Sequence, residues 1–68
     1  MDEKVRNKVK DYRIKQDLTQ QDLATLSGVS RQSINSIEKE KYIPSLPLAL
    51  KLAKIFKCKT DELFSLED

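Results

Sequence analysis

Residues 19–38 read TQQDLATLSGVSRQSINSIE, and the arrangement of apolar residues in this stretch decides the fold. Its first half places Leu23 and Leu26 on one face of a helix. Its second half does the same with Ile34 and Ile37. The letters SGV interrupt both patterns, and glycine takes a left-handed backbone conformation without a Cβ clash. The stretch therefore predicts two short helices joined by a three-residue turn.

Each of these two helices begins with a side chain suited to cap it. Thr19 precedes the first helix and Asp22 stands at its third position, which is close to the capping-box pattern. Ser30 precedes the second helix, which the pattern extends to about Lys39. Caps at these two places favour the same helix starts as the apolar spacing does. Residues 19–38 are therefore predicted to form a helix-turn-helix.

The second of these helices has an outward face made mostly of uncharged hydrogen-bonding side chains. Its members are Arg31, Gln32, Ser33, Asn35 and Ser36. A helix face that only contacts water is usually built from lysine and glutamate. Arginine matches the O6 and N7 atoms of guanine, and glutamine or asparagine matches N6 and N7 of adenine. The composition therefore favours a helix that reads base edges in the DNA major groove.

The segments on either side of this unit also have helical patterns. Residues 4–16 hold Val5, Val9 and Tyr12 at spacings of four and three, which predicts a first helix. A fourth helix is predicted to begin at Ser45. It is apolar most of the way round, so it is expected to be the central and most buried helix.

A last short helix is predicted after Thr60, which is expected to cap it, and it contains Leu63, Phe64 and Leu66. No stretch alternates apolar and polar residues for long enough to predict a strand. The prediction is an all-α fold of five helices around one core, forming a single domain over residues 1–68. The residues expected to fill the core are Val9, Tyr12, Leu18, Leu23, Ala24, Leu26, Val29, Ile34, Ile37, Leu48, Leu52, Ala53, Phe56, Leu63 and Phe64.

Composition excludes several functional classes. No apolar run is long enough to span a membrane, and the basic N-terminus lacks the apolar core of a secretory signal, so a cytoplasmic location is expected. The chain has no histidine and one cysteine, Cys58, so neither a disulfide within the chain nor a metal site is predicted. Without a glycine-rich phosphate loop or a nucleophile–base pair, we expect no enzyme activity, no cofactor and no small-molecule ligand.

The string LTQQDLATLSGVSRQSINSIEKEKYIPSLPLALKLAKIF, residues 18–56, carries a resemblance to a known family. It resembles the Cro/C1 repressor-type helix-turn-helix proteins, the xenobiotic-response-element-like class of small bacterial, archaeal and phage regulators. The resemblance covers residues 7–66 and is closest to stand-alone regulators. It implies a lambda-repressor-like fold and double-stranded DNA as the partner, so the protein would associate with the nucleoid when bound.

The resemblance also assigns roles to individual residues. The positions that match base-reading residues are Arg31, Gln32, Asn35 and Ser36. The positions assigned to contacts with the DNA backbone are Gln20, Ser30, Ser33, Lys41 and Tyr42. Arg13 and Glu38 match an ion pair that ties the first helix to the third.

The sequence departs from the family pattern at four positions. Glu40 and Lys57 stand where relatives often have glycine, and a left-handed conformation costs a residue other than glycine about 1–2 kcal/mol. Glu40 also places a negative charge near the expected DNA face. Ile43 replaces a polar residue in the exit loop, and Leu48 replaces an acid in the first turn of the fourth helix.

The expected function is sequence-specific DNA binding by a homodimer on a palindromic operator, with repression of transcription as the output. Leu63, Phe64 and Leu66 are the expected dimer contacts, because three large apolar residues in four positions exceed what one edge of a core needs. The alternative is a helix-turn-helix module that holds a protein partner, such as an antitoxin or anti-regulator, since a fold does not fix a function. The polar third helix favours DNA, because a protein-binding face is richer in apolar and aromatic residues.

Overall fold

The structure is a computed structural model that describes residues 4–67, and within them it holds five helices and a pair of short strands. In chain order the elements are β1 (Val5–Asn7), α1 (Val9–Lys15), α2 (Gln20–Ser27), α3 (Arg31–Glu38), α4 (Leu46–Phe56), α5 (Thr60–Leu63) and β2 (Phe64–Leu66). The predicted five-helix class is confirmed. Residues 1–3 and Asp68, which the predicted domain span includes, lie outside the described residues.

The strand pair corrects two predictions. Residues 4–16 do not form one helix, because β1 comes first and pairs with β2 in antiparallel register, Val5 opposite Leu66. The last helix likewise ends at Leu63, because Phe64 turns to the extended conformation, with φ −125° and ψ 142°. Strands of three residues are too short to show a period of two, and their partners lie at opposite ends of the sequence.

Side-chain caps fix where the helices begin. Thr19 Oγ1 accepts the Asp22 N–H at 3.0 Å and Asp22 Oδ2 accepts the Thr19 N–H at 2.9 Å, which completes the predicted capping box. This backbone N–H holds the pKa of Asp22 below its usual value. Ser30 Oγ accepts the Ser33 N–H at 3.1 Å and starts α3. For α5 the N-cap is Lys59, one residue before the predicted Thr60.

The core lies between α4 and the helices that pack around it. Its buried apolar residues are Val9, Leu23, Ala24, Ile34, Ile37, Ala49, Leu52, Ala53, Phe56 and Leu63. The rings of Tyr12 and Phe56 stack with their centroids 5.6 Å apart and close one edge. Of the other predicted core residues, those that are partly buried and pack against this core are Tyr12, Leu18, Val29, Leu48 and Phe64.

Leu26 is the predicted core residue that the structure places outside, with 53% of its surface exposed. The inward face of α2 is formed by Leu23, Ala24 and Ser27. At 100° per residue, Leu26 points about 110° away from the centre of that face. Ser27 takes the inner position instead, and its hydroxyl donates to the Leu23 carbonyl at 2.7 Å.

A buried ion pair ties α1 to α3. Arg13 Nε lies 2.7 Å from Glu38 Oε2 and Arg13 Nη2 donates to Glu38 Oε1 at 3.2 Å. The two side chains are only 12% and 4% exposed. Arg13 Nη1 also donates to the Leu18 carbonyl at 2.8 Å. The guanidinium therefore links α1, the loop before α2 and the last turn of α3.

Within residues 4–67, a positive φ occurs at Gly28 in the turn between α2 and α3, and at Asp17, Glu40 and Lys57. Both positions where the sequence lacks an expected glycine are therefore left-handed, with φ 61° at Glu40 and 58° at Lys57. Lys57 is exposed and forms the C-cap of α4. Among the described residues no helix is both long enough and apolar enough to cross a membrane.

We expect Lys57→Gly to raise the free energy of unfolding by about 1 kcal/mol, because glycine takes the left-handed C-cap conformation without a Cβ clash. Lys54→Gly is the matched control, since Lys54 lies inside α4, where glycine should cost about 1 kcal/mol. Urea denaturation of both variants measures the difference. Equal destabilisation by the two substitutions would contradict the assignment of strain to Lys57.

We expect Arg13→Ala to lower the free energy of unfolding by about 3 kcal/mol or more, because it leaves the buried Glu38 carboxylate without its counter-charge. Lys15→Ala, on the exposed end of the same helix, should change it by no more than about 0.5 kcal/mol. Thermal and urea unfolding provide the measurement. A loss for Arg13→Ala no larger than the control's would show that the pair contributes little.

Candidate nucleic-acid interface

The turn between α2 and α3 sets the angle at which α3 leaves the core. Gly28 has φ 76°, and both its N–H and that of Val29 donate to the Ala24 carbonyl, at 2.9 and 3.1 Å. These bonds close α2 in the manner of a left-handed glycine cap. Val29 then packs against the core, and Ser30 begins α3. The local sequence therefore defines the turn of the helix-turn-helix.

One face of α3 is held in the core, which leaves the opposite face outside. Ile34 and Ile37 are fully buried, whereas Arg31 and Gln32 in the first turn are exposed. At 100° per residue, the four predicted reading residues fall within one arc of α3 on the side away from Ile34 and Ile37. Gln32 and Ser36 share a shallow hollow whose lining is Ser30, Gln32, Ser33, Ser36 and Tyr42. Arg31 and Asn35 lie outside that lining, and Asn35 is turned toward α2.

Gln20 lies at the first position of α2 and connects that helix to α3. Its Nε2 donates to Asn35 Oδ1 at 3.2 Å and to Glu38 Oε1 at 3.1 Å. The sequence assigned Gln20 to a phosphate contact, and these bonds add a second role that the sequence did not indicate. Both donors of the Gln20 amide are therefore used within the protein, and a phosphate contact through them would require an exchange of partners.

The exit loop after α3 holds Lys41 and Tyr42, both exposed, of which Tyr42 reaches the hollow. Ile43, the next residue, is 61% exposed and lies on a different surface. It lines an apolar groove together with Val5, Pro44, Leu46, Ala49, Thr60 and Phe64. The replacement of a polar residue by Ile43 therefore extends an apolar surface and takes no part in the hollow.

Glu40, whose negative charge was expected near the DNA face, does not line the hollow and instead bonds to β1. Its carboxylate accepts the Asn7 N–H at 3.1 Å and lies 3.0 Å from Arg6 Nε, with Lys4 Nζ at 4.0 Å. The Asn7 N–H and the two bases hold the pKa of Glu40 below its usual value, so the carboxylate is charged at neutral pH. Two neighbouring cations therefore offset the negative charge expected near the DNA.

The apolar surface defined here consists of Val5, Ile43, Leu46, Leu50, Phe64 and Leu66. Leu46 and Leu50 lie one turn apart on α4 and are 68% and 50% exposed, and Leu66 is 57% exposed opposite Val5 in the strand pair. Leu63, predicted to be a dimer contact, is only 1% exposed and belongs to the core. That prediction was wrong because α5 is a single turn that faces Leu63 inward.

Cys58 is half-buried, and this burial raises the pKa of its thiol. Within residues 4–67, histidine, cysteine, aspartate and glutamate side chains do not gather in a group of three that can hold a metal ion.

Comparison with protein families gives a match over residues 9–63 to the model HTH_3, described as a helix-turn-helix. An uncharacterized helix-turn-helix-type transcriptional regulator of Methanocaldococcus jannaschii is 55% identical over 64 residues, which cover 94% of this chain and 97% of the relative. The Bacillus subtilis regulator YgzD, also uncharacterized, is 44% identical over 64 residues, with the same two coverages, 94% and 97%.

Two solved structures have the same fold. The restriction-modification controller protein C.AhdI from Aeromonas hydrophila is 31% identical, with a TM-score of 0.75 over 81% of this chain and 83% of that chain. A putative DNA-binding protein from Bacteroides fragilis is 24% identical, with a TM-score of 0.81 over 90% and 98% of the two chains, and this likeness concerns the fold alone. With a family model that spans the whole helical region and relatives of this identity, the chain belongs to the Cro/C1-type helix-turn-helix family of DNA-binding transcriptional regulators.

Proposed function

We propose that this protein is a non-catalytic regulator that binds double-stranded DNA sequence-specifically as a homodimer and represses transcription. The observation that carries the proposal is the division of α3 into a buried face, Ile34 and Ile37, and an exposed face that begins with Arg31 and Gln32. Such a helix has the core contacts that fix its orientation and the donors and acceptors that match base edges. Its place of action is the cytoplasm, on the nucleoid.

The exposed side chains of α3 supply the two kinds of contact that DNA recognition needs. Arg31 suits guanine, Gln32 and Asn35 suit adenine, and Ser36 suits either. Contacts with the phosphate backbone set the register of a helix in the groove and carry no sequence information. The residues we propose for them are Gln20, Ser30, Ser33, Lys41 and Tyr42. Ser30 and Gln20 lie at the starts of α3 and α2, where free backbone N–H groups attract phosphate.

A second copy is the occupant that we propose for the apolar surface. A single module of this size covers only about 600–1,000 Å² of DNA interface, and two-fold symmetry doubles that contact. The surface joins the strand pair to the start of α4 and holds four large side chains that are at least half exposed: Ile43, Leu46, Leu50 and Leu66. Two copies joined there would read half-sites about 34 Å apart in a palindromic operator. Occupation of such an operator blocks polymerase without any further activity.

The apolar surface also favours a second candidate function. The same exposed leucines and isoleucine suit a different protein, as in an antitoxin or anti-regulator. In that case α3 would select no DNA sequence, and the purified protein would remain a monomer. The two experiments that follow distinguish the candidates.

We expect Gln32→Ala to weaken binding to the preferred operator by about 1–3 kcal/mol and to change binding to random DNA very little, because a base contact is lost. The operator comes first from selection of bound duplexes out of a random library at near-physiological salt. Gln16→Ala is the control, since Gln16 follows α1 and donates to the Phe56 carbonyl. Equal losses on both DNAs would show that Gln32 reads no base, and absence of an enriched motif would favour the protein partner.

We expect Leu66→Asp and Leu46→Asp each to raise the dissociation constant of the dimer at least tenfold, because each places a carboxylate in a buried apolar contact. Leu26→Asp is the matched control: Leu26 is 53% exposed on α2, away from the apolar surface. Sedimentation over a concentration series measures the equilibrium. Dimers of unchanged stability in both variants would remove this surface from the interface.

A further inference from the structure

We propose that β1 positions α3, the helix proposed to read bases, through a clamp centred on the Glu40 carboxylate. The Glu40 clamp is the set of contacts among Arg6, Asn7 and Glu40, together with the bond from Asn7 to the Ile37 carbonyl. This inference rests on the proposed DNA-binding function and adds residues that lie outside the reading face. Arg6, Asn7 and Glu40 are thereby assigned as positioning residues.

The backbone at Glu40 indicates that its side chain has a role. Its φ of 61° lies in the left-handed region, which glycine adopts freely and other residues resist. The conformation is needed at this place, because the Glu40 N–H donates to the Ile37 carbonyl at 2.9 Å and the Lys41 N–H donates to the Ser36 carbonyl at 3.0 Å. These bonds close the last turn of α3. Glu40 differs from the equally left-handed Lys57, because its side chain is bonded to another element of the fold.

The Glu40 carboxylate makes its contacts with β1. Glu40 Oε2 accepts both the Asn7 N–H and the Arg6 Nε–H, each at 3.1 Å. The Glu40 side chain is 17% exposed, whereas that of Arg6 is 54% exposed. The less exposed partner is therefore the carboxylate at the end of α3, and it is satisfied by a backbone donor that cannot move away from the strand. A contact of this kind fixes a position more firmly than a surface ion pair.

Asn7 adds a second link between β1 and α3. Its Nδ2 donates to the Ile37 carbonyl at 2.9 Å, and its Oδ1 accepts the Val9 N–H at 3.1 Å. One side chain thus caps the start of α1 and the end of α3 at once. Together with the Glu40 carboxylate, it restrains the C-terminal turn of α3 from two directions.

The same contacts continue to the surface proposed for the second copy. Arg6 Nη1 lies 2.6 Å from Glu67 Oε1, and Arg6 stands opposite Ser65 in the strand pair, next to Leu66. A tilt of α3 by about 10° about one end would move its other end by about 2 Å, because this eight-residue helix is about 12 Å long. Hydrogen bonds to base edges tolerate only about 0.5 Å. The clamp therefore fixes the orientation of α3 relative to the strand pair, and so relative to the two-fold axis of the proposed dimer.

Electrostatics alone predicts the opposite effect of removing Glu40, which makes the test sharp. Loss of a negative charge near DNA should tighten binding to every duplex. Loss of a positioning contact should instead weaken binding to the operator only. The two explanations therefore differ in the sign of the change in operator affinity.

The experiment compares wild type, Glu40→Gly and Glu40→Gln on the selected operator and on a random duplex at one salt concentration. We expect random binding to be unchanged or tighter for both variants. Operator binding should be about tenfold weaker for Glu40→Gly, with base preference relaxed where the last turn of α3 contacts DNA. Glu40→Gln should weaken operator binding by a smaller factor, because its amide oxygen still accepts the Asn7 N–H. Glu40→Gly also relieves the left-handed strain, so its thermal midpoint should remain close to that of wild type. Glu40→Gln keeps the side-chain length, and it carries the test if the glycine variant fails to fold.

Asp61→Asn is the matched control, because it removes one negative charge from an exposed position of α5 outside the clamp. It should change operator and random binding by the same factor. If wild type selects an operator and both Glu40 variants bind it as tightly as wild type or more tightly, the clamp has no positioning role and the proposed function stands. If wild type selects no operator, the proposed function fails and the inference fails with it.

Discussion

A single buried carboxylate, that of Glu38, holds the three N-terminal helices in one arrangement. It receives Arg13 from α1 and Gln20 from α2, and it belongs to the last turn of α3. A charge that is only 4% exposed is costly unless every lone pair finds a donor, so the three helices are restrained to the positions that supply those donors. The burial of Ile34 and Ile37 in the core sets the depth of α3 but resists its rotation poorly, because apolar contacts have no direction. The carboxylate supplies the missing directional restraint.

A second carboxylate, two residues later, acts at the same end of α3 from the other side. The Glu38 carboxylate bonds to α1 and α2, whereas the Glu40 carboxylate bonds to β1. The two restraints differ in kind, since Glu38 is buried against a guanidinium and Glu40 is held chiefly by a backbone N–H of the strand. A short helix with both restraints has little freedom to tilt. That property suits an element whose outward side chains must meet fixed atoms on a partner.

The helix-turn-helix was predictable from sequence because its determinants are local. Thr19 and Asp22 are three residues apart, and the apolar spacing of Ile34 and Ile37 depends only on helical periodicity. The strand pair was not predictable, because its partners lie about 60 residues apart and each strand has three residues. Because residues 4–16 were predicted to form one helix, the contacts of Asn7 with Ile37 and Glu40 could not be predicted either. Leu63 is buried because α5 ends after a single turn, and the composition of this segment does not reveal where the helix ends.

The exit loop fixes the position of the polar hollow on α3 relative to the apolar groove beside α4. Tyr42 lines the hollow on the face of α3, and the next residue, Ile43, lines the apolar groove beside α4. Tyr42 and Ile43 are consecutive, so a change of one residue is enough to move from one surface to the other. In the dimer that we propose, the face of α3 that contacts bases is therefore connected to the dimer surface by the short exit loop and by β1. The distance between the two recognition helices is then a property of each protomer's own fold, and the spacing of the half-sites follows from it.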